Sequence, residues 1–173
     1  MTASKTVPPS VLASLTEEVF QKGGHFSFQV RGISMRPLLK DGDRLAVGPV
    51  QDGALSPGSL LVYRRSSEEI VVHRLMEIVR RDTTVTYRIS PDSAPLCPEA
   101  VSSDQILGVV ERVFRGRREL FLRRGWRGVW RRFLLFGYRN PLVLQLFFRA
   151  GKVLHTPSNP LTFLLFYAIV EVL

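Results

Sequence analysis

The segment RGISMRPLLKDGDRL, residues 31–45, places a serine between a glycine and a proline and then turns through Asp-Gly-Asp. Ser34 follows the β-branched Ile33 and precedes Met35, and the acidic run at 41–43 has the composition of a tight turn. A serine in such a setting either caps a turn in a surface loop or is a nucleophile presented at the mouth of a β domain. The rest of the chain has to decide between these interpretations.

The chain on both sides of this segment predicts a mostly β domain with a short N-terminal helix. Apolar residues recur at helical spacing over residues 8–22, after Pro8-Pro9 and before Gly23-Gly24. Between residues 26 and 113, short runs rich in Val, Ile and Tyr alternate with Gly, Pro, Asp and Ser, which predicts five or six strands joined by tight turns. The proline-rich SPDSAPLCPEAVSSD, residues 90–104, is interpreted as one long loop.

Charge divides the chain after residue 114. Residues 1–114 carry 13 basic and 13 acidic side chains, whereas residues 115–173 carry 11 basic and 2 acidic ones and therefore hold the whole net charge of +9. The organisation expected from these changes in texture is an N-terminal helix (1–24), a β catalytic domain (25–114) and a basic, apolar helical tail (115–173).

The tail is expected to contact a membrane surface. RELFLRRGWRGVWRRFLLF, residues 118–136, combines Trp and Phe on one helical face with arginines elsewhere, a composition typical of interfacial anchors. The alternative is that these helices pack onto the β domain and the arginines are solvated. Nucleic acid is a less favoured partner, because the basic residues alternate with large aliphatic groups. The predicted contact residues are Arg123, Arg124, Trp126, Arg127, Trp130 and Arg131.

Several other classes of protein are disfavoured by the composition. The single cysteine, Cys97, excludes an internal disulfide, and no Cys/His cluster suggests zinc, so neither a metal nor a cofactor is expected. The first 20 residues lack the apolar core of a cleavable signal peptide, and no stretch has the length of a standard membrane span. Peripheral membrane association on the cytoplasmic side is therefore the expected localisation, and the oligomeric state stays open.

His73 is the second residue that suggests chemistry. It lies within EEIVVHRLMEI, in the middle of a predicted strand and directly before Arg74. A lone histidine of this kind is often a core residue satisfied by a backbone carbonyl. The functional alternative is a general base on a rigid strand within reach of Ser34.

Four segments in order, GISMRPLLKDGDRLAV, PGSLLVYRR, IVVHRL and VSSDQILGVVERV, resemble the type I signal peptidases and the clan that they share with LexA-type self-cleaving repressors. The resemblance covers about residues 25–114. Most bacterial members use a lysine base, whereas the archaeal, reticulum and spore-former signal peptidases use His followed by Arg, as His73-Arg74 do here. The N-terminal membrane anchor of those enzymes is not recognisable.

The resemblance implies a serine endopeptidase that cleaves an extended signal or leader peptide, with Ser34 as nucleophile and His73 as base. Asp92 is the expected orienting acid, with Glu99 and Asp104 as alternatives and a dyad without an acid also open; the family's second aspartate is missing. Gly32, Ile33 and Ser34 are expected to form the oxyanion and substrate-approach side. The competing hypothesis is a non-catalytic peptide-binding or membrane-docking module on the same fold.

Overall fold

A computed structural model describes residues 9–51, 55–66, 69–122 and 125–153. The helices are α1 (Pro9–Gln21), α2 (Gly125–Arg139) and α3 (Pro141–Val153). The strands are β1 (Phe26–Gln29), β2 (Arg44–Gly48), β3 (Leu60–Arg64), β4 (Ile70–Arg81), β5 (Thr84–Ser90), β6 (Glu99–Ser102), β7 (Ile106–Arg115) and β8 (Arg118–Leu120). A 3-10 turn, Ser103–Gln105, links β6 to β7.

The strands form one antiparallel sheet in the order β1-β2-β7-β3-β4-β5-β6, and β8 pairs with β7. Strand β7 inserts between β2 and β3, so the last long strand ties the first hairpin to the rest of the sheet. In the β3–β4 hairpin Leu61 lies opposite His73, and in the β5–β6 pair Ile89 lies opposite Glu99. This register brings residues that are far apart in sequence to one face of the sheet.

The two faces of the sheet have separate apolar clusters. Alternation along β3 and β4 sends even-numbered side chains such as Leu60 and Met76 to one face and odd-numbered ones to the other. The first cluster contains Met35, Leu38, Leu45, Leu60, Val62, Met76, Val113, Trp130, Phe133, Leu134 and Leu144. The second contains Leu61, Tyr63, Leu75, Ile89 and Val101. Helices α2 and α3 therefore cover only the first face.

The mostly β fold, the N-terminal helix and the helical tail are confirmed, but two boundaries differ from expectation. The described residues contain eight strands rather than five or six. Strand β6 lies inside the segment interpreted as a loop, and β8 continues the sheet to Leu120, past the expected domain end at residue 114. Strand β6 directly follows a segment with three prolines, and β8 has only three residues, so neither has a clear strand signal in the sequence.

The tail helices share the hydrophobic core of the β domain. Trp130, Phe133, Leu134 and Leu144 are buried among side chains of the sheet. The apolar face of α2 was correctly located by its periodicity, but the surface it covers is the sheet. No helix within the described ranges is long and apolar enough to cross a bilayer. Residues 154–173, with the apolar run at 161–170, lie outside those ranges.

Candidate active site

Ser34 lies on a loop that is closed at its base by main-chain hydrogen bonds. The amide of Val30 donates to the carbonyl of Asp43 (2.7 Å), and the amide of Gly42 donates to the carbonyl of Val30 (2.9 Å). The buried carboxylate of Asp43 accepts two hydrogen bonds from Arg115 on β7, with N–O distances of 2.8 and 2.7 Å. Burial alone would raise the pKa of Asp43, but these bonds lower it, so the carboxylate stays charged. The loop is thus pinned to the centre of the sheet.

Apolar anchors hold the middle of the loop while leaving its serine accessible. Met35, Leu38 and Leu39 are almost fully buried in the first cluster, whereas Ser34 is exposed and Ile33 is 65% exposed. Gly32 has a φ of +96°, which favours glycine, and its amide donates to Asp41 Oδ1 at 2.9 Å. The predicted approach residues 32–34 therefore form the exposed rim of a rigid loop.

His73 is buried on the second face of the sheet. Its side chain is 3% exposed, and its Nδ1 lies 3.0 Å from the hydroxyl of Tyr63 on β3. Tyr63 is fully buried and sits diagonally across the hairpin, since its direct partner in register is Val71. The imidazole is therefore held in one orientation by a strand neighbour that the sequence had not singled out.

The tyrosine connects His73 to a carboxylate. The hydroxyl of Tyr63 donates to Glu99 Oε2 at 2.9 Å, and Arg65 Nε donates to the same oxygen at 2.9 Å. Arg65 also pairs with Glu99 Oε1 and, at 3.1 Å, with Glu69. Glu99 Oε1 is 3.9 Å from His73 Nδ1, beyond hydrogen-bond distance. The acid nearest the imidazole is thus Glu99, one of the expected alternatives, and its contact passes through Tyr63.

Electrostatics keep His73 neutral and Glu99 charged. Burial lowers the pKa of His73, the positive charge of Arg65 lowers it further, and Glu99 opposes both. Burial raises the pKa of Glu99, but the hydrogen bonds from Arg65 and Tyr63 outweigh it and lower it overall. A neutral imidazole beside an ionised carboxylate has the charge state that a general base needs near pH 7.

Asp92, the acid expected to orient His73, has different partners. Both of its oxygens accept hydrogen bonds from Arg74, each at 2.7 Å, and Trp130 Nε1 donates to Oδ2 at 3.2 Å. Arg74 also donates to the carbonyl of Gly58 at 2.9 Å. Because successive strand residues point to opposite faces, Arg74 lies on the α2 side while His73 faces the other cluster. The geometry therefore assigns Asp92 to an ion pair under α2.

The segment that follows β5 joins the serine loop to the strand of the histidine. The amide of Ser93 donates to the carbonyl of Ser34 at 3.0 Å. Ser90, three residues earlier, pairs in register with Arg74, the neighbour of His73. One short connection, Ser90 to Ser93, thus spans from the main chain of Ser34 to β4. Asp104, the remaining candidate acid, accepts from the Ser102 hydroxyl in the exposed turn before β7.

The predicted membrane residues of α2 are distributed differently from expectation. Trp130 is 6% exposed and belongs to the core, so the prediction that it contacts a membrane was wrong. Arg131 donates to the carbonyl of Pro57 at 2.7 Å, and Arg127 is half-buried, with its pKa lowered by burial and by Arg115 and Arg118. The positions of Arg123 and Arg124 and the side chain of Trp126 lie outside the described part of the chain.

A cavity of about 400 Å³ opens on the α2 side of the sheet. Gly58, Leu60, Arg74, Glu119 and Arg131 are among the residues that line it. Neither Ser34 nor His73 lines this cavity, so it is separate from the candidate site. Within the described ranges, no group of three or more His, Cys, Asp or Glu side chains is placed to hold a metal ion.

The curled antiparallel sheet, with a serine on a pinned loop before β2 and a buried histidine on β4, has the architecture of a serine peptidase-like fold. Comparison of the sequence with models of protein families identifies one family. Residues 6–111 match the family model described as Peptidase S24-like, which is more than half of the chain, and the chain belongs to that family. No curated protein matches the chain significantly. The resemblance to the LexA and signal peptidase clan is thereby supported at the level of the clan.

Proposed function

We propose that the protein is a serine endopeptidase of the signal peptidase type, with Ser34 as nucleophile and His73 as general base. The observation that carries the proposal is the state of His73: buried, neutral and bonded through Nδ1, on a strand tied to the loop of an exposed serine. Family membership supports the same class of reaction.

The proposed reaction proceeds through an acyl-enzyme. His73 Nε2 takes the proton of the Ser34 hydroxyl as Oγ bonds to the scissile carbonyl carbon, and the oxyanion is stabilised by the backbone N–H of Ser34. The C–N bond then breaks, and His73 returns the proton to the leaving amine. Water then attacks the ester carbonyl as His73 takes its proton. The bond between the acyl carbon and Ser34 Oγ breaks, and His73 returns the proton to Oγ, which releases the acid product and regenerates the Ser34 hydroxyl.

The proposed substrate is an extended signal or leader peptide with small residues before the cut, as the resemblance implies. Strand β1 stands at one end of the strand order and runs directly into the Ser34 loop. An extended peptide that adds to this edge would lead its scissile bond toward Ser34, with backbone hydrogen bonds supplying affinity.

The test is cleavage of membrane-embedded precursor peptides by the full chain. Wild type should cleave, and Ser34→Ala and His73→Ala should not. Ser93→Ala is the matched control, because Ser93 is also exposed and its contact with Ser34 uses only the backbone amide. Cleavage by Ser34→Ala at the wild-type rate would overturn the assignment of the nucleophile.

A non-catalytic peptide-binding module is the second candidate. The observation in its favour is that both oxygens of Asp92 are engaged by Arg74, so the expected aspartate does not complete a conventional triad. This module would bind the same precursor peptides without cleaving them. Stoichiometric binding by wild type, unchanged in Ser34→Ala and with no product formed, would favour it over the peptidase.

Membrane association is also proposed, with α3 as the contacting element. Leu142 and Leu146 are one helical turn apart on α3 and are 73% and 67% exposed. The exposed Arg149 follows Leu146 by three residues on the same helix, and the exposed Arg139 ends α2 just before α3 begins. An apolar pair between arginines suits the interface of an anionic bilayer, where each arginine contributes about 1 kcal/mol. This would place the protein peripherally on a membrane.

Vesicle binding tests this surface. Vesicles with phosphatidylglycerol should bind the protein more tightly than neutral ones. Arg139→Gln with Arg149→Gln should remove the preference, and Leu142→Ser with Leu146→Ser should weaken binding to both. Equal binding to the two vesicle types would contradict the proposal.

A further inference from the structure

Tyr63 stands between the proposed base and the nearest ionised acid. Its hydroxyl carries one proton and two lone pairs. The proton goes to Glu99, because an ionised carboxylate can only accept. The oxygen of Tyr63 is then left to accept, so the bond to His73 runs from Nδ1–H to the tyrosine. These directions follow from counting protons.

We propose that Tyr63 and Glu99 act as positioning residues in a relay, in which Glu99 orients the Tyr63 hydroxyl and the hydroxyl holds His73 in the tautomer protonated at Nδ1. This inference rests on the proposed peptidase function. The consequence is that Nε2 carries the free lone pair that takes the serine proton. In a conventional triad a carboxylate performs this task directly; here the side chain in contact with the imidazole is a phenol.

The relay is built from rigid parts. Tyr63 is fully buried in the second cluster, packed with Leu61, Leu75, Ile89 and Val101. Burial and the bond to Glu99 raise the pKa of Tyr63, so the phenol remains a proton donor over the working range of pH. Glu99 is fixed in turn by the two-pronged contact with Arg65 and by its position opposite Ile89. Because Tyr63 is fixed by its packing and by Glu99, its hydrogen bond holds the His73 ring in one orientation.

The charges around His73 determine what the relay does when the imidazole takes a proton. Arg65 on the β3 side disfavours the imidazolium, whereas Glu99 on β6, Asp92 after β5 and Glu69 before β4 favour it. Only Glu99 is connected to the imidazole through a hydrogen bond that can strengthen as positive charge develops. Tyr63 therefore transmits stabilisation to the imidazolium while keeping the carboxylate 3.9 Å away.

The kinetic test compares two tyrosines of the same cluster. Tyr63→Phe removes the relay hydroxyl and keeps the ring, and it should lower kcat about 10²-fold with KM nearly unchanged. The acid limb of the kcat/KM profile should move to lower pH, because the imidazolium loses its acceptor. Tyr87→Phe, in the same cluster, should change neither quantity. Glu99→Gln should lower kcat in the same direction, and Glu69→Gln is its control for the lost charge, since Glu69 pairs with Arg65 whereas Glu99 also accepts from Tyr63.

A second measurement does not depend on turnover. The ¹⁵N shifts of the His73 ring report which nitrogen carries the proton, and His73→Ala assigns the signals among the three histidines of the chain. Wild type should show protonation at Nδ1, and Tyr63→Phe should show a mixture of tautomers. A wild-type ring protonated at Nε2 would overturn the relay even if the enzyme were active.

The outcomes separate the two proposals. If wild type cleaves and needs Ser34 and His73, but Tyr63→Phe keeps the wild-type kcat and pH profile, the relay fails and the peptidase stands. If the acid limb of Tyr63→Phe moves to higher pH, Glu99 contacts the imidazole directly and Tyr63 is not the intermediary. If wild type does not cleave but the tautomer behaves as expected, the peptidase fails and the relay geometry remains.

Discussion

His73 and Arg74 are neighbours in sequence, equally buried, and opposite in what surrounds them. His73 is 3% exposed and Arg74 is 2% exposed. The histidine faces a chain of hydrogen bonds in which one ring nitrogen is held by Tyr63. The arginine faces a closed cluster in which Asp92 and the carbonyl of Gly58 take three of its N–H groups. The surroundings of His73 allow a change in its protonation, whereas those of Arg74 hold its guanidinium in fixed hydrogen bonds.

The difference shows how a single strand serves two purposes. Alternation of side chains places the base on one face and a structural ion pair on the other, with one backbone positioning both. On the α2 face, removing one member of the buried Arg74–Asp92 pair would leave an uncompensated charge, so this pair is costly to break. The His73 face can then carry a group whose pKa burial has shifted.

The largest expected effect comes from removing the cover of the Arg74 face. A chain ending at Phe114 loses Leu120 from β8 and the buried Trp130, Phe133, Leu134 and Leu144. Each such side chain contributes about 1.5–3 kcal/mol on burial, and domains are stable by only about 5–15 kcal/mol. We expect the truncated chain to be unfolded, as judged by near-ultraviolet circular dichroism and a collapsed amide NMR spectrum. The expected domain boundary at residue 114 would then cut through the core that the sheet shares with α2 and α3.

Two leucines on α3 serve as matched controls for that deletion. Leu144 is fully buried and Leu146 is 67% exposed, on the same helix. Leu144→Ala should lower the free energy of unfolding by about 2–5 kcal/mol, and Leu146→Ala by about 0.5 kcal/mol or less. A folded truncated chain, or equal costs for the two leucines, would show that α2 and α3 are dispensable to the core.

A smaller loss is expected from opening the ion pair itself. Arg74→Met leaves the carboxylate of Asp92 buried beside Trp130 without its cation, which should lower the free energy of unfolding by about 3–5 kcal/mol. Adding Asp92→Leu should recover most of that loss, because the double variant no longer buries a charge. Urea denaturation of the two single variants and the double one measures the coupling. A loss of less than about 1 kcal/mol for Arg74→Met would mean that water reaches the pair.

The smallest expected effect is the pH dependence that His73 gives to the free energy of unfolding. The pKa of His73 in the folded protein lies below the value of 6.5 for the unfolded chain. As pH falls below about 6.5, the unfolded chain takes up a proton at His73 that the folded protein does not. The free energy of unfolding therefore decreases as pH falls from about 6.5 toward the pKa of His73 in the folded protein. The free energy of unfolding should therefore rise with pH across this window, and His73→Gln should flatten the rise. A His73→Gln curve parallel to wild type would contradict the assignment.

The sequence predicted those parts of the fold that have a strong local signal. The helix at Pro9–Gln21 and the six strands other than β6 and β8 have clear periodicity or turn residues at their ends. Strand β6 was missed because its four residues follow a run with three prolines, and its pairing with β5 is set by register. The apolar face of α2 was located correctly, but periodicity identifies a face and not the surface it covers.

The residues of the candidate site were likewise predicted only where the sequence signal is local. Ser34 and His73 could be named from local motifs, whereas the partners of His73 depend on which residues of three strands share a face. Tyr63 and Glu99 are 36 positions apart and meet only through the register of β3, β4, β5 and β6. Asp92 was preferred because its motif resembled the family, but it adjoins the strand on the side of Arg74. Alternation along β4 would have suggested that His73 and Arg74 lie on opposite faces, but it would not have identified the partner of either residue.

The indole of Trp130 gives the molecule an internal optical reporter. It is 6% exposed, its ring lies 5.7 Å from that of Phe133 in a tilted arrangement, and its N–H donates to the carboxylate of Asp92. Because the chain has only two tryptophans, a Trp126→Phe variant would emit from this ring alone. Its emission should be that of an indole shielded from water. A red shift would follow the lifting of α2 from the sheet in real time, before any change in the β structure.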